Sequence, residues 1–167
     1  MLNESQLKYL SILPDDKSVQ IGAHDIEAQK VGEKVREEIR KAVPDLEVYF
    51  TGATSLGLAG MNDVDISIVS RPEDFDKYLP EIISILGEPL KRSAQNIRWE
   101  IVRGGYPVDV HMTDGNSRGW CDHKKIYELL RDNSDIAKEY EKMKLSCDGL
   151  SVKEYQKRKY EFYNRYL

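Results

Sequence analysis

The stretch YFTGATSLGLAGMNDVDISIV, residues 49–69, decides how the chain is to be read. It opens on a short strand-forming run, passes through a glycine-rich turn at Gly52 and Gly57, and returns as an apolar strand bearing Asp63 and Asp65. Aspartate fits a pleated surface poorly and competes for backbone hydrogen bonds, so two of them at strand spacing need a reason. Either they face water or they hold something cationic.

Side chains alternate between the faces of a strand, which predicts that Asp63 and Asp65 point one way while Val64, Ile66 and Ile68 point into the core. The best hairpin signal lies further on. Residues 97–102 alternate, Gly104-Gly105 turns the chain, and residues 107–112 alternate again. Val108 and Val110 are then inward, and Asp109 and His111 share the outward face. If the two strands are neighbours, three carboxylates converge on one patch. Crowded carboxylates raise each other's pKa unless a cation lies among them, and Mg²⁺ is the natural one. It takes oxygen ligands, commonly one or two carboxylates together with substrate phosphates. Upstream, Gly52-Ala53-Thr54-Ser55 offers backbone N–H groups and hydroxyls that can cradle a polyphosphate. An Asp-x-Asp on a strand is by itself most often a solvated face, and a glycine turn is unremarkable. The ordered set is the specific signal.

Around this block the pattern is ordinary for a globular protein. Ala28, Val31, Val35, Ile39 and Ala42 recur three or four residues apart, which predicts an amphipathic helix over about residues 22–42 closed by Pro44. Strands are expected at 48–51 and 64–69. A helix should start at Ser70-Arg71-Pro72 and run to Gly87, kinked or divided at Pro80. Beyond Trp120 the pattern is helical, interrupted at about 132–135 and 147–151, and Ser151 and Glu154 stand in capping-box order. The fold class expected is α+β, a small mixed sheet of about four or five strands flanked by helices.

The 167 residues are one domain's worth, with 40% hydrophobic and 32% charged residues and no repeat or low-complexity tract. No segment approaches the length of a membrane span, and the opening MLNESQLKYL lacks a basic n-region with an apolar core, so a cytoplasmic protein is the expectation. Cys121 and Cys147 lie far apart with no ligand-spaced histidine and are expected as free thiols. A net charge of −4 argues against coating nucleic acid by bulk attraction. Two basic clusters remain, Lys91, Arg92, Arg98 and Arg103, and Lys153, Lys157, Arg158, Lys159 and Arg165. Their plain reading is a solvated charged face; the sharper one is a local phosphate-binding groove.

From Val48 to Thr113 the order of motifs resembles the nucleotidyltransferase superfamily that includes DNA polymerase beta, poly(A) polymerases, tRNA CCA-adding enzymes and small antibiotic nucleotidyltransferases. Their pattern is a glycine-serine turn, an Asp-x-Asp strand and a third acid on a later strand, which places Gly52, Gly57, Asp63, Asp65 and Asp109. The segment WCDHKKIYELLRDNSDIAKEYEKMK and the following EYQKRKYEF look like the C-terminal half of GrpB-like proteins, with Trp120, Leu130, Arg131, Tyr140, Lys144, Tyr155, Lys159 and Phe162 at the typical positions. The resemblance implies one nucleotidyltransferase-like domain over 1–167, with a helical N-terminal segment 1–47, a catalytic sheet 48–113 and C-terminal helices 119–167. Two departures stand out. Ala53 replaces the usual serine, and the chain keeps Asp63, Asp65 and Asp109 where GrpB-like proteins commonly keep one acid and a histidine.

What the resemblance implies is metal-dependent transfer of a nucleoside monophosphate from a nucleoside triphosphate to a hydroxyl. Asp63, Asp65 and Asp109 would hold two Mg²⁺ or Mn²⁺ ions. Gly52, Ala53, Thr54, Ser55, Arg98, Arg131, Tyr140 and Lys144 would contact nucleotide and phosphate. The acceptor expected is an RNA 3′ end such as that of tRNA, because the basic stretch 91–103 leads into the hairpin carrying Asp109. The rivals are a small-molecule or protein hydroxyl, and a domain that binds a nucleotide or coenzyme A without turnover.

Overall fold

The computed structural model describes residues 1–167. Five strands form one mixed sheet in the order β1-β2-β5-β4-β3: β1 Glu47–Thr51, β2 Val64–Ser70, β3 Lys91–Arg92, β4 Asn96–Arg103 and β5 Tyr106–Asp114. β2 and β5 run parallel and every other pair is antiparallel. The β4–β5 hairpin turns at Gly104 and Gly105, whose φ values of 57° and 85° suit a primed two-residue turn.

One face of this sheet is the core. Val48, Phe50, Val64, Ile66, Ile68, Ile97, Trp99, Val108, Val110 and Met112 pack there against α2 (Ile26–Ala42) and α4 (Phe75–Leu86). The core-facing stripe of α2 is the one its periodicity predicts. The helix starts at Ile26 rather than Gly22, because the Asp25 side chain caps it by accepting from the Glu27 N–H, and Gly22 pairs with Gly60 instead. Pro80 does not divide α4, which is continuous and forgoes only the bond a proline cannot donate. Within the N-terminal segment expected to be helical, a short helix, α1 (Glu4–Ile12), opens on a capping box between Asn3 and Gln6.

The C-terminal helices are α5 (Arg118–Asp132), α6 (Ser134–Leu145) and α7 (Val152–Tyr163). Ser117, Asn133 and Ser151 cap them, and the interruptions lie where the pattern breaks. Ile126, Leu130, Tyr140 and Phe162 form their own apolar cluster, with Leu56 and Leu58 of the loop after β1 packed against it. The three helices therefore dock on the turn that carries the glycines and shadow one end of the second, polar sheet face.

Candidate functional site

The polar face is built in rows across the strands. Thr51 opposes Asp65 across β1 and β2, Asp65 is in register with Asp109 across β2 and β5, and Glu100 of β4 completes the row. Strand register thus brings Asp65 and Asp109 side by side. β2 begins at Val64, so Asp63 lies on the turn entering the strand. That turn is held by Asn62, a left-handed residue (φ 55°) whose side chain accepts from the Asp25 N–H and donates to the Ala23 carbonyl.

The glycine turn folds into a short helix, α3 (Gly52–Ser55), directly against the acids. Gly52 has φ 81°, and a Cβ there would lie 2.6 Å from Oδ2 of Asp65. Both the backbone conformation and the carboxylate's seat demand glycine. The hydroxyls expected to reach phosphate are engaged locally: Thr54, buried, donates to the Asp63 carbonyl at 2.5 Å, and Ser55 to the Gly52 carbonyl at 2.7 Å. With Ala53 offering no hydroxyl, this turn has only backbone to present.

Charge around the acids is unbalanced. Burial, and then the neighbouring Asp63 charge, push the Asp65 carboxyl up to about 7; Lys159 opposes the rise and Asp109 adds to it. Asp109 behaves the other way. Burial favours its neutral form, but hydrogen bonds from His111 and Arg98 outweigh that and hold it down at about 2. Arg98 grips both Asp109 oxygens, at 3.0 and 2.7 Å, and reaches Glu100 at 2.5 Å. His111 Nε2 lies 3.3 Å from Asp109, and its Nδ1 is 3.1 Å from the Asn96 side-chain oxygen. Arg98, expected on phosphate, is thus the partner of the third acid.

Two lysines approach the acids from the C-terminal helices. Lys144 is 4% exposed, and its Nζ lies 2.8 Å from where a Gly60 Cβ would be. Burial first, then the Lys159 charge, bring its amine down to about 8. Lys159 is half-buried and its amine is raised, first by Tyr163, then by Tyr155 and by Asp65 and Asp63. Neither lysine makes a hydrogen bond or an ion pair within the protein; each lies against a ring, Tyr140 and Tyr163 respectively.

Two other residues expected on phosphate are engaged within the protein. Arg131 is bound to Asp132 at 2.7 and 2.8 Å and stacks over Tyr127, on the exposed side of α5. Tyr140 is buried in the helical cluster with its hydroxyl 3.0 Å from that of Tyr163. In the basic stretch Arg92 pairs with Asp76 at 2.8 Å and Arg103 donates to the Ile85 carbonyl, so it does not form an open cationic lane.

Sequence reasoning did not single out His123, whose ring nitrogen is 2.8 Å from the Thr51 hydroxyl. Its ring opens into the cleft, yet the protein packed around its other sides, with the Lys159 charge, lowers its pKa to about 4. Nothing in the local pattern of α5 marks it out. Lys159 was visible as one charge among several at the C-terminus and as a position typical of GrpB-like proteins, but not as a neighbour of the acids. Two hollows share His123: one of about 700 Å³ between α1, α5 and α7, which Lys159 also lines, and one of about 480 Å³ along the sheet face from Asp65.

Among solved structures the chain is similar to the Cid1 RNA terminal uridylyl transferase, at 14% identity over 84% of this chain and 46% of that one, with a TM-score of 0.43. It is similar to a cytoplasmic RNA terminal U-transferase, at 15% identity, 84% and 43% coverage, with a TM-score of 0.49. It is also similar to the STING-associated CdnE c-di-GMP synthase from Capnocytophaga granulosa, at 13% identity, 70% and 40% coverage, with a TM-score of 0.41. The chain thus spans less than half the length of each. No curated protein matches the sequence. Residues 18–167 match the model of the GrpB protein family, and the chain belongs to that family.

Proposed function

We propose that this protein is a metal-dependent nucleotidyltransferase that moves a nucleoside monophosphate from a nucleoside triphosphate to a hydroxyl. One observation carries the reading: two carboxylates, Asp63 and Asp65, and two ammonium groups, Lys144 and Lys159, converge without pairing with one another. The acids lack a cation and the amines lack an anion. A metal triphosphate supplies both at once.

The donor set suits one hard divalent ion. No three His, Cys, Asp or Glu side chains form a complete cage, so the remaining ligands have to be phosphate oxygens and water, the usual habit of Mg²⁺. Asp63 and Asp65 would hold it, and it would neutralise phosphate charge during transfer. Asp109, bound by Arg98 and His111, joins a second ion only after Arg98 moves aside. The chain's own residues do the rest. Lys144 and Lys159 hold the β- and γ-phosphates, and the α3 backbone approaches the triphosphate closely because Gly52 has no side chain. The hollow between α1, α5 and α7 takes the nucleoside. As the acceptor oxygen bonds to the α-phosphorus, the bond to pyrophosphate breaks and the hydroxyl proton passes to water, with Asp109 able to relay it only once Arg98 has moved aside. Catalysis here is positioning and charge neutralisation.

The test is incubation with Mg²⁺ and each α-labelled nucleoside triphosphate in turn, with total RNA and with a small-metabolite fraction as acceptors. Label should enter one fraction with release of pyrophosphate, and Asp63→Asn and Asp65→Asn should abolish it while staying folded. Absence of pyrophosphate release with every triphosphate, or full activity in both variants, defeats the proposal. Triphosphate binding without turnover would instead favour the binding-domain alternative.

A further inference from the structure

Which hydroxyl accepts the nucleotide is the open part of that reading, and the hollow of about 480 Å³ beyond Asp65 bears on it. In-line displacement requires the attacking oxygen and the leaving pyrophosphate on opposite sides of the phosphorus. Lys144 stands at Gly60, ahead of β2, and the glycine turn lies at the same end. The hollow begins at Asp65 and runs the other way, toward the C-terminal ends of β2 and β5, past Ser67, His111 and Thr113. The acceptor therefore enters through it.

Its lining has no lysine and no arginine. Ser67 and Thr113, each 8% exposed, form its floor, and neither hydroxyl has a partner within the protein. Both hydroxyls open onto the groove and are therefore available to a ligand or water. The side-chain NH₂ of Asn96, whose oxygen faces His111 Nδ1, adds donors along the side, and Trp120 forms a wall. Neutral hydrogen-bonding groups beside an aromatic face recognise hydroxyl-rich, uncharged molecules. A polynucleotide needs cations along its path, and the arginines around this end face acids, Arg98 on Asp109 and Glu100, Arg92 on Asp76 and Arg118 on Asp122. The volume lies in the range of small-ligand sites, roughly 300–1,000 Å³.

We infer that this groove is the acceptor site, and that the acceptor is an uncharged polyhydroxylated small molecule of sugar or nucleoside type. The inference rests on the transferase reading. In the chemistry, one acceptor hydroxyl oxygen bonds to the α-phosphorus, pyrophosphate departs with the bond electrons, and the hydroxyl proton is released to solvent.

The experiment has two arms. In the first, labelled triphosphate and Mg²⁺ are offered with glucose, myo-inositol, ribose, adenosine and a 20-residue RNA. Label is expected in one of the uncharged compounds, little changed between 50 and 200 mM salt. Ser67→Ala and Thr113→Val should raise the KM for that compound about tenfold while leaving the KM for triphosphate unchanged. In the second, saturation-transfer NMR without metal or nucleotide reads binding of the same five probes, expected for the uncharged compound and lost in the double variant. Transfer to RNA alone, falling steeply with salt, overturns the inference but leaves the transferase standing. Binding of an uncharged probe without any transfer leaves the groove standing and defeats the transferase. Neither binding nor transfer for any uncharged probe overturns the inference.

Discussion

Asp65 lies against a glycine that has no room for a methyl group, beside a second carboxylate and with no cation in contact. Its carboxyl, raised to about 7, titrates far above its unfolded value. Between about pH 4 and 7 Asp65 binds more protons folded than unfolded, so its own contribution to metal-free stability falls as pH rises, by at most about 1.4 kcal/mol per pH unit, while His123, lowered to about 4, acts in the opposite sense up to about pH 6.5. Urea denaturation in chelator at pH 5 and pH 8 should show Asp65→Asn gaining stability relative to the parent at the higher pH; an unchanged difference between the two would mean that Asp65 is not responsible. Gly52→Ala is the companion test. A left-handed backbone and a carboxylate 2.6 Å from the new Cβ should cost about 1–3 kcal/mol in denaturation. Divalent-ion binding should weaken with it, whereas a neutral outcome would show that the turn relaxes freely.

At the scale of elements, the β4–β5 hairpin arms and restrains the site at once. It delivers Asp109, and its other strand brings Arg98 and Glu100 to bind or flank that acid. Asp109 is held down at about 2 by His111 and Arg98. Its contribution to stability is therefore present above about pH 4 and lost as pH falls toward 2. Arg98→Gln should be less stable than the parent at pH 7 and converge on it near pH 2, followed by chemical denaturation. A constant gap at both pH values would assign Arg98 a packing role instead. The same variant frees Asp109 and should increase Mn²⁺ bound per chain, counted by equilibrium dialysis.

Taken whole, the molecule holds a buried, unpaired lysine at the junction of its sheet and its helical part, an arrangement that spends stability on a ligand it does not contain. Lys144, lowered to about 8 by burial first, binds fewer protons folded than unfolded up to about pH 10.5, so stability should rise with pH across about 8 to 10.5. Lys144→Met should stabilise the free protein at pH 7 by roughly 1–3 kcal/mol, since it removes a buried charge without a partner. The parent should gain melting temperature from Mg²⁺ with triphosphate, about 2.7 kcal/mol at 100 times the dissociation constant, and Lys144→Met should lose most of that gain. A variant that is stabilised yet keeps the full ligand shift would place the triphosphate elsewhere.

Periodicity and turn chemistry, both local, sufficed for much of this. The alternation of 97–102 and 107–112 around Gly104-Gly105, the stripe of α2 and the caps of the last helices are written in neighbouring residues, and α+β followed from their order. The row Thr51, Asp65, Asp109 and Glu100 needed strand register, which no single strand encodes. Only tertiary structure seated Arg98 on Asp109, Arg131 on Asp132 and Tyr140 in an apolar cluster, and withdrew Thr54 and Ser55 into local bonds. A side chain's residue type states what it can bind; which partner lies nearest depends on elements far apart in the chain. Lys144 and Lys159 reach the acids because two helices from the C-terminus pack on a turn about a hundred residues earlier, a contact set by buried apolar area and legible in no short window of sequence.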